Sequence, residues 1–146
     1  MERTSILRLA AAIGGFELFL AAVEIAGLGS LLDGVVPLTV FAPTDAAFGT
    51  LSDVLLTRLL ARRAANLEPF VRAHLVAGSH CGRAMTGLGR LRSLAGDALD
   101  VDAFDGGVLV VSGAVVVSAD LYAANGVLHG IDQVLSSGGW SEGVQC

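Results

Sequence analysis

Ten residues, Thr39-Val40-Phe41-Ala42-Pro43-Thr44-Asp45-Ala46-Ala47-Phe48, constrain this chain more than any other stretch. Thr39, Val40 and Phe41 favour a pleated, half-buried backbone, so the stretch opens as a strand. Pro43 has no N–H to give a ladder and biases Ala42 towards extended geometry, which ends the strand. Thr44 or Asp45 can then cap a helix, a side-chain oxygen accepting from N–H groups one turn on. Ala46, Ala47 and Phe48 supply that first turn, and Phe48 can fold back onto the strand. A chain that goes from sheet to corner to helix this quickly has few architectures open to it.

Helices are expected before and after this corner, and strands at the end. Thr4 or Ser5 caps a first helix to about Ile13, with Ile6, Leu9 and Ile13 as its core stripe. Gly14-Gly15 breaks it. Phe16 to Ala26 forms a second helix with Phe16, Phe19, Leu20 and Val23 inward, closed by Gly27. Leu28 to Leu32 is a further helical turn. Leu51 to Ala65 is amphipathic, and Glu68-Pro69 starts a helix that reaches His74. From Leu75 the pattern becomes extended, and Gly78 ends that strand. Ser79 to Gly89 reads as a loop of polar and small residues. Strands follow at Leu91–Leu94, Ala98–Phe104, Val108–Val111, Val115–Ala119 and Val127–Val134. Asp105-Gly106-Gly107 and Asn125-Gly126 are their turns, with a positive φ expected at Gly126. Helical runs followed by antiparallel strands define an α+β chain. Residues 1–136 form one domain on length, and 137–146 a polar Gly/Ser tail around Trp140.

Charge narrows the function. The 146 residues carry a net charge of −5, and all nine basic residues are arginine. The closest approach to a cationic cluster is Arg58, Arg62, Arg63 and Arg72, which fits the solvated face of a helix; nucleic acid is not an expected partner. Mean hydropathy is high at +0.70, yet no charge-free run of large apolar residues is long enough to span a membrane. Arg8 interrupts the first apolar run and Glu17 ends any longer one, so the start is expected to be structure and not a leader. That implies a cytoplasmic protein, or a secreted one if a leader was removed ahead of Met1. Cys81 and Cys146 are then expected as thiols, pairing only if the tail folds back. His74, His80 and Cys81 lack the fourth ligand and the paired spacing of a metal site. No cofactor motif and no catalytic triad stands out, and nothing specifies an oligomer.

Three segments carry a resemblance. Thr39–Phe48 resembles the first signature of the fasciclin domain family. Ala123-Ala124-Asn125-Gly126-Val127-Leu128-His129-Gly130-Ile131-Asp132-Gln133-Val134-Leu135 resembles the second, and His74-Leu75-Val76-Ala77-Gly78 its histidine strand. Two long motifs in order and in register are specific, and the likeness runs from about Ile6 to Leu135. It implies the fasciclin fold, a bent, antiparallel-rich β-sheet wedge with several helices packed around it. In the family pattern a tyrosine tied to adhesion precedes the histidine; here Ala73 takes its place.

Within that frame, His74 is expected as a buried imidazole bonded to the Thr44–Asp45 corner, and His129 as a satisfied sheet residue. Asp45, Asp120 and Asp132 are expected to bond local backbone N–H groups. Met85, Tyr122 and Trp140 are candidate pocket-lining residues, with Trp140 a candidate lid. His80 is expected either in solvent or, as a further candidate ligand-binding residue, in the pocket. Tyr122, His80 and Ser79 are the candidate hydrogen-bond donors.

The resemblance implies three functions. Fasciclin domains are typically extracellular adhesion modules that bind proteins or glycans. Some leaderless bacterial members are associated with natural-product pathways, where cyclisation is attributed to them, including 4+2 cycloaddition of polyketides. The missing leader and Ala73 favour the second: a cofactor-free site that would shape an apolar substrate, preorganisation alone lowering the barrier, with one donated hydrogen bond to assist. The third is a carrier with the same apolar small-molecule site and no turnover.

Overall fold

The computed structural model describes residues 5–34, 37–48, 68, 70–96, 98–104 and 108–135. The expected helix at Leu51–Ala65 lies outside them, as do Arg58, Arg62, Arg63, the Asp105-Gly106-Gly107 turn, and the tail with Trp140 and Cys146.

Three helices lead the chain: α1 (Ile6–Ile13), α2 (Glu17–Ile25) and the short α3 (Gly29–Leu32). Ser5 caps α1 by accepting from the Arg8 N–H at 3.3 Å. Its buried stripe is Ile6 and Ala10, while Ile13 is 48% exposed. The two-turn helix ends there, and residues 11–13 project past the packed surface, so the expected inward Ile13 is corrected. In α2, Phe16, Phe19 and Val23 are buried as their spacing requires.

Strand β1 (Leu38–Pro43) runs into the single-turn α4 (Asp45–Phe48), as the opening motif demands. Residues 70–72 are helical and lead into β2 (Leu75–Ala77). The segment expected as a loop contains a helix, α5 (Gly82–Leu88). Its first N–H, that of Gly82, is capped from outside by Asp120, a contact that local composition does not reveal. Strands β3 (Arg90–Arg92), β4 (Ala98–Phe104), β5 (Val108–Val111), β6 (Ala114–Ala123) and β7 (Gly126–Ile131) complete the fold. Strand β6 takes in Asp120–Ala123, beyond the Ala119 at which the expected strand ends. Register shifts between Val116 and Leu121 let it bend without ending.

The described strands form one seven-stranded sheet in the order β2-β1-β7-β6-β5-β4-β3. Every pairing is antiparallel except β1 with β7, which run parallel from Leu38↔Gly126 to Pro43↔Ile131. The sheet bends until its ends nearly meet. Val76 of β2 bridges Ser93, and the Leu94 N–H donates to the Leu75 carbonyl at 2.8 Å. The result is a bent wedge: a mixed, almost closed sheet with helices around it.

Strands β1 and β7 are buried at every position. Alternation sends their side chains to two cores. Leu38, Val40, Ala42 and Leu128 pack under the helices against Ile6, Phe19 and Val23. Phe41 and Ile131 point into the wedge, against Val76, Met85, Leu99 and Val111. Each such large side chain contributes roughly 1.5–3 kcal/mol by leaving water.

Gly126 fixes how closely the motif strands approach. Its φ is +154°, and a Cβ there would lie 1.9 Å from the Leu38 carbonyl oxygen and 2.9 Å from the Ile6 side chain. The obstacle is backbone, which cannot turn aside. Gly126→Ala is expected to cost about 3 kcal/mol or more, read as a fall in the urea midpoint at constant m-value.

Candidate functional site

Four polar side chains hold the motif segments together. At the corner, Thr44 Oγ1 accepts from the Ala47 N–H at 3.2 Å and caps α4, while the Thr44 N–H donates to the Ile131 carbonyl. Asp45 caps a different helix: its Oδ1 accepts from the Leu18 N–H at 2.8 Å, near the start of α2. Its own N–H donates to the Gly15 carbonyl at 2.8 Å. Burial pushes the Asp45 carboxyl up, but hydrogen bonds from the Glu17 side chain and from the Leu18 and Glu17 backbone prevail and hold it below its usual range. Asn125, which the sequence marks only as a turn residue, joins three elements. Its Oδ1 accepts from the Ile6 N–H at 2.9 Å and its Nδ2 donates to the Leu32 carbonyl at 2.8 Å. Asp132 Oδ1 accepts from the Val115 N–H at 2.9 Å, and its N–H returns a bond to the Val115 carbonyl.

The two buried histidines are locked in opposite tautomers. His74, fully buried between the Phe19 and Phe70 rings, donates from Nδ1 to the Phe70 carbonyl at 2.8 Å. It accepts the Leu135 N–H on Nε2 at 2.9 Å. The expected bond to the Thr44–Asp45 corner is corrected: Gly15, Leu18 and Ile131 occupy that corner, and His74 ties the end of the second motif instead. His129 stacks on Phe41 at 5.5 Å. It accepts the Asp120 N–H on Nδ1 at 3.2 Å and donates from Nε2 to the His80 carbonyl at 2.9 Å. Burial lowers both pKa values, His74 to about 4.

Beside the two segments that His129 bonds lies an open hollow of about 380 Å³. Pro37, Ser79, Cys81, Ala84 of α5 and the β6–β7 turn from Tyr122 to Val127 line it. Two of the three candidate donors, Ser79 and Tyr122, therefore share one concavity. His80 does not line it: its ring turns back to the Ala77 carbonyl at 3.0 Å, and its N–H donates to Thr39 Oγ1 at 2.7 Å. Met85, expected at a pocket wall, is fully buried in the wedge core, because α5 turns it inward. Tyr122 is 66% exposed. Asp120, desolvation and the Cys81 thiol that shares a hydrogen bond with its hydroxyl raise its pKa, so it remains a protonated donor at neutral pH. The nearness of Cys81 to Tyr122 was invisible in sequence, since β6 and the loop after β2 meet only through the sheet order. A second, larger hollow between α1 and α2 holds none of the candidate donors. Among the described residues no three His, Cys, Asp or Glu side chains converge as a metal site needs, and no helix is long and apolar enough to cross a membrane.

A wedge of this topology, closed by two motif strands and their polar pins, is a fasciclin domain, and the chain belongs to that family: the Fasciclin domain model matches residues 14–137. It is 39% identical to the protein sll1483 of Synechocystis over 90% of this chain and 72% of that protein. It is 32% identical to the Synechocystis protein sll1735 over 92% of this chain and 98% of the other. Among solved structures, a FAS1 domain pair from the insect cell adhesion molecule fasciclin I superposes with a TM-score of 0.65. The identity there is 19%, over 85% of this chain and 46% of that one.

His74 predicts an acid limit. The unfolded chain binds a proton near the ordinary histidine value of 6.5, the folded one only near 4. Stability is therefore fully present above about pH 6.5 and falls as pH drops towards 4, by on the order of 3 kcal/mol. Urea midpoints measured across that window are expected to decline in the natural chain. In His74→Gln, where an amide can donate to Phe70 and accept from Leu135, the slope is expected to be shallower by one proton. Asp45→Ala, by uncapping α2, is expected to cost about 1 kcal/mol in the same assay.

Proposed function

We propose that the protein is a binding module that recognises a partner macromolecule through the hollow at Tyr122. The observation that carries this reading is an aromatic side chain two-thirds exposed at the end of a turn pinned on three sides. Tyrosine buries much area on contact for little lost conformational freedom and is enriched where proteins meet. Here it stands over small side chains, Ala84, Ala123 and Ala124, that let a partner approach closely. Family membership agrees, as does the likeness to a domain pair from a molecule whose description is cell adhesion. Recognition does not depend on the family's adhesion-linked tyrosine: Ala73 stands there, and it is buried.

The small-molecule reading rests on the same hollow. Its size falls within the range of ligand clefts, and the Ser79 and Tyr122 side chains on its wall could donate to a carbonyl. A carrier or a 4+2 cyclase of polyketides would use it to bend an apolar guest. Such catalysis needs a guest folded and held away from water, and a rim as open as Tyr122's supports surface contact better.

Coated on a support, the natural protein is expected to retain cells or purified surface proteins or glycans. Tyr122→Ala and Ala84→Arg are each expected to weaken retention at least about tenfold, the loss of an interface hot spot. Unchanged retention in both variants would place the contact elsewhere. Incubation with a linear polyene separates the other reading: cyclised product forming faster than in buffer, and lost in Tyr122→Ala, would make the protein a cyclase.

A further inference from the structure

We propose that His129 is a proton-sensitive pin beside the hollow: one imidazole holds both of its walls, and protonating it lets them part. The proposal rests on the reading of the hollow as the recognition surface, and names its regulation. Of the two walls, one is the loop carrying Ser79 and Cys81, with His80 between them; the other is the end of β6 carrying Tyr122, two residues after Asp120. His129 bonds both. Its Nε2–H donates to the His80 carbonyl and its Nδ1 accepts the Asp120 N–H.

A neutral imidazole has one donor and one acceptor, and both are used here. An imidazolium has two donors and no acceptor. The proton would thus set Nδ1–H against the Asp120 N–H, a buried donor facing a half-buried one, and the wall bond at β6 is lost.

Asp120 is built to respond. It sits at φ +58° within the β6 bulge, a left-handed conformation that asparagine and aspartate tolerate but do not prefer. Its Oδ1 accepts from the Gly82 N–H at 2.7 Å, holding the start of α5. Among the groups packed on the ring, Asp120 from β6 is the charge, β1 presents the Phe41 face, and the His80 ring is turned away to Ala77. A charged ring attracts the Asp120 carboxylate, and a carboxylate that turns to the ring leaves Gly82. The wall at Tyr122 and the wall at Cys81 then lose their shared ties together. Burial disfavours the proton, while the His80 carbonyl and the Asp120 carboxylate favour it. His74 has no carboxylate against it and no wall of the hollow attached to it.

Two reporters need no ligand, so the test is separate from whether the hollow binds anything. Tyr122 is the chain's one tyrosine, so its ring resonances are unambiguous. In a Cys146→Ser background Cys81 is the one thiol. Aromatic NMR from about pH 7.5 to about 4.5 follows the His129 and Tyr122 rings together. Alkylation of Cys81, normalised to free cysteine at each pH, follows the opposite wall. The expected result is a Tyr122 shift and a Cys81 rate increase of about fivefold, as for a local opening. Both share the His129 midpoint while the far-UV circular dichroism is unchanged, and His129→Gln abolishes both. The proposal is overturned if Tyr122 and Cys81 stay unchanged through the His129 titration, if they change only with global unfolding, or if His129→Gln retains the response. Should that variant fail to fold, the coincidence of midpoints in the natural chain decides.

Discussion

The parallel pairing of β1 with β7 is the contact on which the other parts depend. Both strands are buried on both faces, so none of their backbone groups can reach water, and each must find a partner in the protein. Their ladder satisfies most of them. It also sets a parallel pair, second and third of the seven strands, inside an otherwise antiparallel sheet, and its alternating side chains feed two cores. The helices cover one face, and the bent sheet closes over the other.

Burying such a pair brings polar side chains inside, and these are not incidental. Thr39, His74, Asn125 and His129 are buried, and each joins segments far apart in the chain. Thr39 Oγ1 donates to the Gly78 carbonyl and accepts from the His80 N–H. Asn125 ties α1 and α3 to the turn before β7, and His74 ties residues 70 and 135. A buried polar group left unpaired costs about 1–3 kcal/mol, so a competing arrangement that breaks one of these bonds is penalised. The polar pins act on specificity as much as on stability, selecting one register among the many that an apolar strand pair would allow.

The same pins give the surface hollow its shape. Its floor is the buried β7 strand; its walls are a loop and a bulge, held by His129 and by the Asp120 carboxylate. The β6 wall also packs through Leu121 and Ala123 and pairs with β7, while the loop at Ser79–Cys81 takes its position largely from hydrogen bonds.

Much of the framework follows from local sequence. Thr39–Phe48 requires strand, corner and helix because proline and threonine act on their immediate neighbours, and Gly14-Gly15 and Asn125-Gly126 set turns for the same short-range reason. Hydrophobic alternation identifies β4, a short valine-rich run after a turn identifies β5, and the motif order identifies the family. What the sequence could not supply depends on partners distant along the chain. The α5 helix escaped detection because its cap, Asp120, lies 38 residues beyond Gly82. Asp45 looked like a cap for its own helix, and in fact caps α2, which precedes it. Met85 looked available and is buried, since a helix, unlike a loop, sends that position into the wedge. The meeting of Ser79, Cys81 and Tyr122 was decided by the order of strands alone. Local chemistry determines which elements form, because those forces act within a turn or two. Only the closed sheet determines which side chains share a surface, because that requires bringing residues 79 and 122 together across a core that neither segment builds by itself.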